Sequence, residues 1–436
     1  MQQATGGLDS ARPSSTRSLS VLLLAQFYPP VIGGEERHVR NLAVALAARG
    51  LDVHVATLGT DFGEPQRDPG VTVHELDSVG RKVPALYPTA DRPLSLPVPD
   101  PITTRALARV RREVQPDVVH SHNWLVNSWL ALPSAYRTPL VHSLHDYSHV
   151  CATKRLVFAD DVCPGPTPRR CIPCVDQHYG RGRGQVIWGM VRAGIGVRER
   201  AVDLFTPVSS FVARANRLQE AGVAWRTVPN FVPDDLTARP RGDRLPGLPA
   251  GEFLFFAGDL SRQKGVHTLV RAWRRIKQLH GEDAPDLVLA GRPADGLEGV
   301  PETAADGLHV HHYWDHENVV NAFQHCVAAV LPSEWPDPCP TTVLEAMALG
   351  SALVTTQQGG IADMVTGEES ALVVRPGSVD DIVEAVGRLR ADDGLRRRLA
   401  AQASVEVGDF LQGQVAEDLH GIYEELATRR SAGAAR

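Results

Sequence analysis

Short, wholly apolar runs recur along this chain, and each is followed by a segment of helical periodicity. The first is LSVLLLA, residues 19–25. A strand without polar alternation must be covered on both faces, the condition of a strand inside a parallel sheet. The loop QFYPPVIGG follows, then EERHVRNLAVALAARG, in which Val39, Leu42, Ala43 and Leu46 recur three and four apart. Gly50 suits the position just past a helix end. VHVATL (53–58) completes a strand–helix–strand unit with a glycine pair where strand meets helix.

The alternation continues. Asp100 and Pro101 form an N-cap and first helical position, and Ala106, Val110 and Val114 share one helical face. DVVHSH (117–122), LVHSLHD (140–146) and LFTPVS (204–209) read as further buried strands, with an irregular segment between the last two. A break rich in proline, glycine and arginine begins at VPNFVPDD (228–235) and marks a linker. The same grammar then restarts with FLFFAG (253–258), a helix carrying Val266, Leu269, Val270, Trp273 and Ile276, and LVLAG (287–291). HVHHY, AAVLPS and ALVTT follow as strands, and a last helix carries Val415, Leu419, Ile422 and Leu426. Two consecutive α/β domains with parallel sheets are indicated. The length of 436 residues suits two cores.

Composition narrows the function classes. A net charge of −6 argues against a dedicated nucleic-acid binder, and no apolar run approaches the roughly 18 residues of a membrane span. Residues 1–17 lack the apolar centre of a secretory signal and read as a disordered tail. The compartment expected is the cytoplasm.

In open parallel sheets, ligands bind beyond the carboxyl ends of the strands. Gly33 and Gly34 stand at such an end, where backbone amides approach an anion; a tight turn is the alternative. His120, His122, His145 and Asp146 stand at others. His-x-His on a strand points two rings to one face, yet no third metal ligand has a fitting local spacing. Arg262 and Lys264 precede a helix start and suit a diphosphate by charge. Thr342-Val-Leu-Glu345 reads as a capping box, with Thr342 at the N-cap; equally, Glu345 at a strand end suits the vicinal hydroxyls of a sugar. QQGGIADMV (357–365) is another glycine pair opening a helix, with Asp363 in its first turn.

Cys151, Cys163, Cys171 and Cys174 share the irregular segment and end in C-x-x-C. Four thiolates suit a structural zinc; free thiols or disulfides are the alternatives. RGRGQVIWGMVRAGIGVRER (181–200) is basic with interleaved apolar residues, which suits either a helix packed on its own domain or a peripheral contact with an anionic membrane.

Taken in order, PPVIGGEERHVRNLAVALAARG, DVVHSH, HSLHD, VPNFV, FAGDLSRQKGV, LPSEWPDPCPTTVLEAMALGSALVTT and GGIADMVTGEESALVV resemble the family 4 retaining glycosyltransferases of GT-B fold. The resemblance implies two Rossmann-like domains facing across a cleft: an acceptor-side domain over 18–232 with the cysteine-rich insertion at 148–180, a linker at 233–250, a nucleotide-sugar domain over 251–410, and a helix at 411–430 crossing back. It implies a hexosyltransferase with metal-independent chemistry and no required cofactor, whose partners are a nucleotide-sugar donor (UDP-sugar first, GDP-sugar next) and a hydroxyl acceptor such as a glycan, lipid-linked or natural-product molecule. By the same resemblance Glu345 binds the donor ribose, Asp337 addresses the donor sugar, Lys264 holds the diphosphate, and Gly33 and Gly34 form the amino-terminal diphosphate loop. His145 lies near the transferred sugar, and Gly359 and Gly360 offer backbone amides. Asp259 stands where the family usually has an arginine, so that Arg262 must substitute or Asp259 must point away. A catalytically silent protein that partners another transferase, or a nucleotide-sugar epimerase, are the competing functions.

Overall fold

The computed structural model describes residues 18–31, 33–83, 96–133, 135–159, 161–294 and 307–434. The expected tail over 1–17 lies outside the described residues. In chain order come β1 (Ser20–Ala25), β2 (Asp52–Leu58), β3 (Val71–Leu76), β4 (Val118–His122) and β5 (Leu140–Leu144). A small antiparallel ribbon, β6 (Val157–Phe158) with β7 (Asp161–Val162), interrupts before β8 (Leu204–Pro207). The first sheet runs β3-β2-β1-β4-β5-β8 with every pairing parallel. The second contains β9 (Phe253–Ala257), β10 (Asp286–Gly291), β11 (Leu308–His312), β12 (Ala328–Leu331), β13 (Leu353–Thr355) and β14 (Leu372–Val373). Its order, β11-β10-β9-β12-β13-β14, is again all parallel.

The apolar runs behave as two-faced strands. Along β1, Val21, Leu23 and Ala25 face one core, and Leu22 and Leu24 face the other. The first core also holds Val39, Leu42 and Leu46 of the first helix (Gly34–Ala48) and Val415, Leu419, Ile422 and Tyr423 of the C-terminal helix (Gln412–Ala434). The last helix of the chain therefore completes the core of the first sheet. Asp100 caps its helix as expected, accepting from the amides of Ile102 and Thr103.

In each sheet the strand order reverses direction between two neighbours: β1 and β4 in the first, β9 and β12 in the second. Connections leave these strands toward opposite sides, and the crevice so formed at their carboxyl ends is where such sheets take ligands. Chain passes between the sheets twice, and the two passages lie side by side. Val232 N donates to Phe410 O at 3.0 Å, and Gln412 N donates to Val232 O at 2.9 Å. Among the described residues no helix is long and apolar enough to cross a membrane. The basic segment forms a helix (Arg183–Ala201) that buries Val191 and Arg198 and leaves Val186 and Val197 exposed.

Candidate functional site

The crevice of the second sheet is built from the turns after β9 and β12. After Ala257 the chain curls through Gly258–Gly265 and enters the helix Val266–His280. Gly265 adopts φ +74°, and a Cβ there would stand 2.0 Å from the carbonyl oxygen of Pro332. Only glycine allows the two turns to touch. This contact brings Lys264 to Asp337, from the loop after β12, and their side chains form an ion pair. Lys264 Nζ also lies 5.6 Å from the centre of the Trp335 ring. Both charges line an open cavity of about 250 Å³ with Ser333, Thr342 and Ile361.

Gly359 and Gly360 sit against the same loop. Gly359 has φ +65°, and Gly360 N donates to Asp337 O at 2.7 Å. A Cβ on Gly360 would stand 1.8 Å from Pro338 O, so the pair cradles the backbone that presents Asp337. Asp363 ends a short 3-10 turn, Gly359–Asp363, instead of opening a helix. Its carboxylate accepts from Ser210 N at 2.6 Å and Ser210 Oγ at 2.7 Å, tying the two lobes together.

The capping-box expectation is corrected. The helix begins two residues early, at Thr341 with Pro340 before it, and no side chain caps it. Glu345 is its fifth residue, nearly buried, and its Oε1 accepts from His316 Nε2 at 3.1 Å. Asp259 is turned aside by a bidentate pair with Arg292, Nε to Oδ1 at 2.9 Å and Nη2 to Oδ2 at 3.1 Å. That pairing raises the Arg292 pKa above its ordinary value. Arg292 follows β10, so a cation does stand at this strand end, supplied by a different turn. Arg262 is exposed.

The first sheet offers imidazoles. His120 and His122 share one face of β4, their ring centres 4.3 Å apart. His120 is bonded by Tyr423 of the C-terminal helix at 2.6 Å and Ser143 at 2.7 Å, and burial pushes its pKa down to about 3. His122 Nδ1 lies 2.8 Å from His145 Nε2, and His145 Nδ1 lies 3.2 Å from Asn230 Oδ1. The amide nitrogen of Asn230 donates to Cys339 O at 2.8 Å. That donation leaves Oδ1 as an acceptor, so His145 carries its proton on Nδ1 and takes the Nδ1–H of His122 on Nε2. Burial lowers the pKa of both rings, in keeping with neutral imidazoles. Both nitrogens of His145 are thus engaged, and one link must yield for it to meet a substrate hydroxyl.

A third imidazole does stand by, contrary to the local-spacing argument. His38, from the first helix, brings a nitrogen within 4.8 Å of His122 and His145, which makes the three a group of metal-ligand type. Local spacing could not reveal it, because the three residues come from different elements.

Gly33 and Gly34 begin the first helix, but its first turn carries Glu35 and Glu36. A Cβ on Gly33 would strike the Glu36 carboxylate at 2.0 Å. Glu35 accepts from Asn123, and burial, followed by the neighbouring Glu36 charge, pushes its pKa up to about 7. Sequence reasoning missed Glu35; its place in a first helical turn next to the glycine pair was the available signal.

The loop after β12 also grips the first lobe. The Tyr147 hydroxyl donates to Pro336 O, and the Trp335 indole N–H donates to Arg155 O. Arg155 belongs to the cysteine segment. Cys151, Cys163, Cys171 and Cys174 line one cavity there, as free thiols.

The chain is similar to known proteins over most of its length. The profile described as Glycosyltransferase Family 4 matches residues 32–236, and that described as Glycosyl transferases group 1 matches residues 248–405. A D-inositol 3-phosphate glycosyltransferase of Arthrobacter sp. is 28% identical over 399 residues, covering 87% of this chain and 86% of the relative. A glycogen synthase of Mycobacterium tuberculosis is 27% identical over 437 residues, covering 94% and 95%. Among solved structures, HepE of Anabaena in complex with UDP-glucose superposes with a TM-score of 0.62 at 16% identity, over 93% of this chain and 100% of that one.

Proposed function

The chain belongs to glycosyltransferase family 4, and on that premise we propose that it moves a hexosyl group from a nucleotide-diphosphate sugar to a hydroxyl acceptor with retention of configuration. The observation that carries this reading is the meeting of Lys264 and Asp337 at the reversal point of the second sheet. They adjoin a loop that Asn230 links to His145 in the first lobe. In the step proposed, the bond from the anomeric carbon to the diphosphate oxygen breaks. A bond to the acceptor oxygen forms on the same face, and the acceptor proton passes to the departing diphosphate. Stabilising the charge of that leaving group is the main requirement. Lys264 supplies a cation held in place by Asp337 until phosphate shares it, and Arg292 supplies a second beside Asp259. Glu345, steadied by His316, accepts from ribose hydroxyls. Gly359 and Gly360 act by shaping the Asp337 loop, and Gly33 and Gly34 by letting the first helix approach the donor. His145 faces the transferred sugar.

A UDP-sugar is the donor favoured, since HepE was solved with UDP-glucose, and a GDP-sugar is next. One observation favours the silent-partner reading: Lys264 and Arg292 each already have an acidic partner. A thermal-shift screen of UDP-, GDP- and ADP-sugars, followed by NMR of the anomeric product of slow donor hydrolysis, decides. A stabilising donor released with its configuration retained supports transfer. No shift with any nucleotide supports the silent protein, and an epimerised sugar supports the epimerase.

A further inference from the structure

Four cysteines of the segment between β5 and β8 converge from separate stretches. Cys151 follows β5, Cys163 follows the ribbon β6–β7, and Cys171 and Cys174 belong to the helix Pro168–Tyr179. At a spacing of three on a helix, the last two project from one face. All four line a single cavity of about 390 Å³, together with Thr153 and Trp188. We propose that these four thiolates form a site for one tetrahedral thiophilic divalent cation of the zinc type.

The sulfurs that line the cavity make long contacts with neighbouring oxygens. Cys151 Sγ lies 3.3 Å from Thr153 Oγ1, Cys163 Sγ 3.5 Å from Gly165 O, and Cys174 Sγ 3.7 Å from Val157 O. Closing on one ion requires sulfur–sulfur distances of about 3.8 Å, set by metal–sulfur bonds of about 2.3 Å at tetrahedral angles. Rotation about χ1 moves a cysteine sulfur by about 3 Å, which is the movement open to each thiol without a shift of the helix. The thiols lose their protons to solvent as the ion binds, one proton for each sulfur–metal bond formed.

The site has a reach beyond its own segment. Arg155, four residues from Cys151, receives the Trp335 indole N–H from the other lobe, and Trp335 lies beside Lys264. A cation that fastens Cys151 to the cysteine helix therefore steadies a contact between the lobes.

The test uses the full chain, stripped with chelator under reducing conditions and titrated with Co2+. The expected result is one equivalent bound, with tetrahedral d–d bands and sulfur-to-cobalt charge transfer in the near ultraviolet. Zn2+ should displace it and raise Tm. Cys171→Ser and Cys174→Ser should each abolish the charge-transfer signature of the wild type, while His38→Ala retains it. The spectrum is read on the wild type first, so a variant that fails to fold does not remove the test. The proposal is overturned by a spectrum without sulfur charge transfer, by absence of binding with all thiols reactive, by a Cys171–Cys174 disulfide in peptide mapping of protein isolated without reductant, or by loss of the site in His38→Ala.

Discussion

Glu35 occupies the first turn of a helix, where the dipole favours negative charge, yet burial raises its carboxyl from 4.5 to about 7. A raised carboxyl stabilises the fold most when protonated. That contribution is complete below pH 4.5 and is lost as pH rises through about 7. Glu35→Gln should therefore gain stability relative to the wild type across this window and hold the gain above it. The gain should be on the order of 1–2 kcal/mol after allowance for solvent screening. Parallel denaturant titrations at pH 5 and pH 8 check it, and an equal difference at both pH values would contradict it. For Glu345→Gln we expect the fold to persist and donor binding to weaken, because glutamine can still meet His316 but lacks the charge. Isothermal titration beside a melting curve separates the two effects. At this scale the sequence was legible in where residues stand relative to the strand ends, as with His122 at the end of β4 and Lys264 in the turn after β9. It was opaque where partners lie far apart in the chain. Asp337 pairs with a residue 73 positions away and Asp259 with one 33 away, and no local spacing encodes either bond.

The elements were more legible than the contacts. Wholly apolar runs of four to seven residues have one stable solution in a two-domain α/β chain; β9 and β12 lie within such runs, and β1 does but for Ser20. The capping box failed for a local reason: Pro340 fixes the chain entry so that the helix starts at Thr341, moving Glu345 off the third position and onto the face toward His316. The turn before the helix Val266–His280 is the more exacting element. Gly265→Ala places a Cβ against Pro332 O in a left-handed conformation and should cost at least about 2 kcal/mol. A variant melting like the wild type would contradict it. The basic helix Arg183–Ala201 is anchored to its own lobe by a buried arginine. Arg198 donates from Nη2 to His149 O at 2.9 Å and from Nη1 to Asn127 Oδ1 at 3.2 Å, and burial lowers its pKa to about 10. Arg198→Ala should cost about 2–4 kcal/mol, because the acceptors it leaves are buried. Urea denaturation tests that figure.

Across the whole molecule, the loop after β12 and the turn after β13 tie the two lobes together. Trp335, Pro336 and Cys339 bond to Arg155, Tyr147 and Asn230, and Asp363 bonds to Ser210. The passages at Val232 and Leu411 run side by side. The two-sheet plan was readable from the repeated alternation and the last helix from the apolar face of residues 415–426, whereas its return to the first lobe was implied by the family resemblance. The mutual neutralisation of cleft charges was not, since each pair joins turns of the second sheet that lie far apart in the chain. The central claim is that this cleft holds a nucleoside diphosphate against Lys264. Its most direct test is the affinity of UDP for the wild type and for Lys264→Ala, measured by isothermal titration on protein of unchanged melting temperature. The account predicts binding by the wild type and a loss of at least about tenfold in the variant, the worth of one charged phosphate contact. Equal affinity of the two proteins, or no nucleoside diphosphate bound by the wild type, would contradict it.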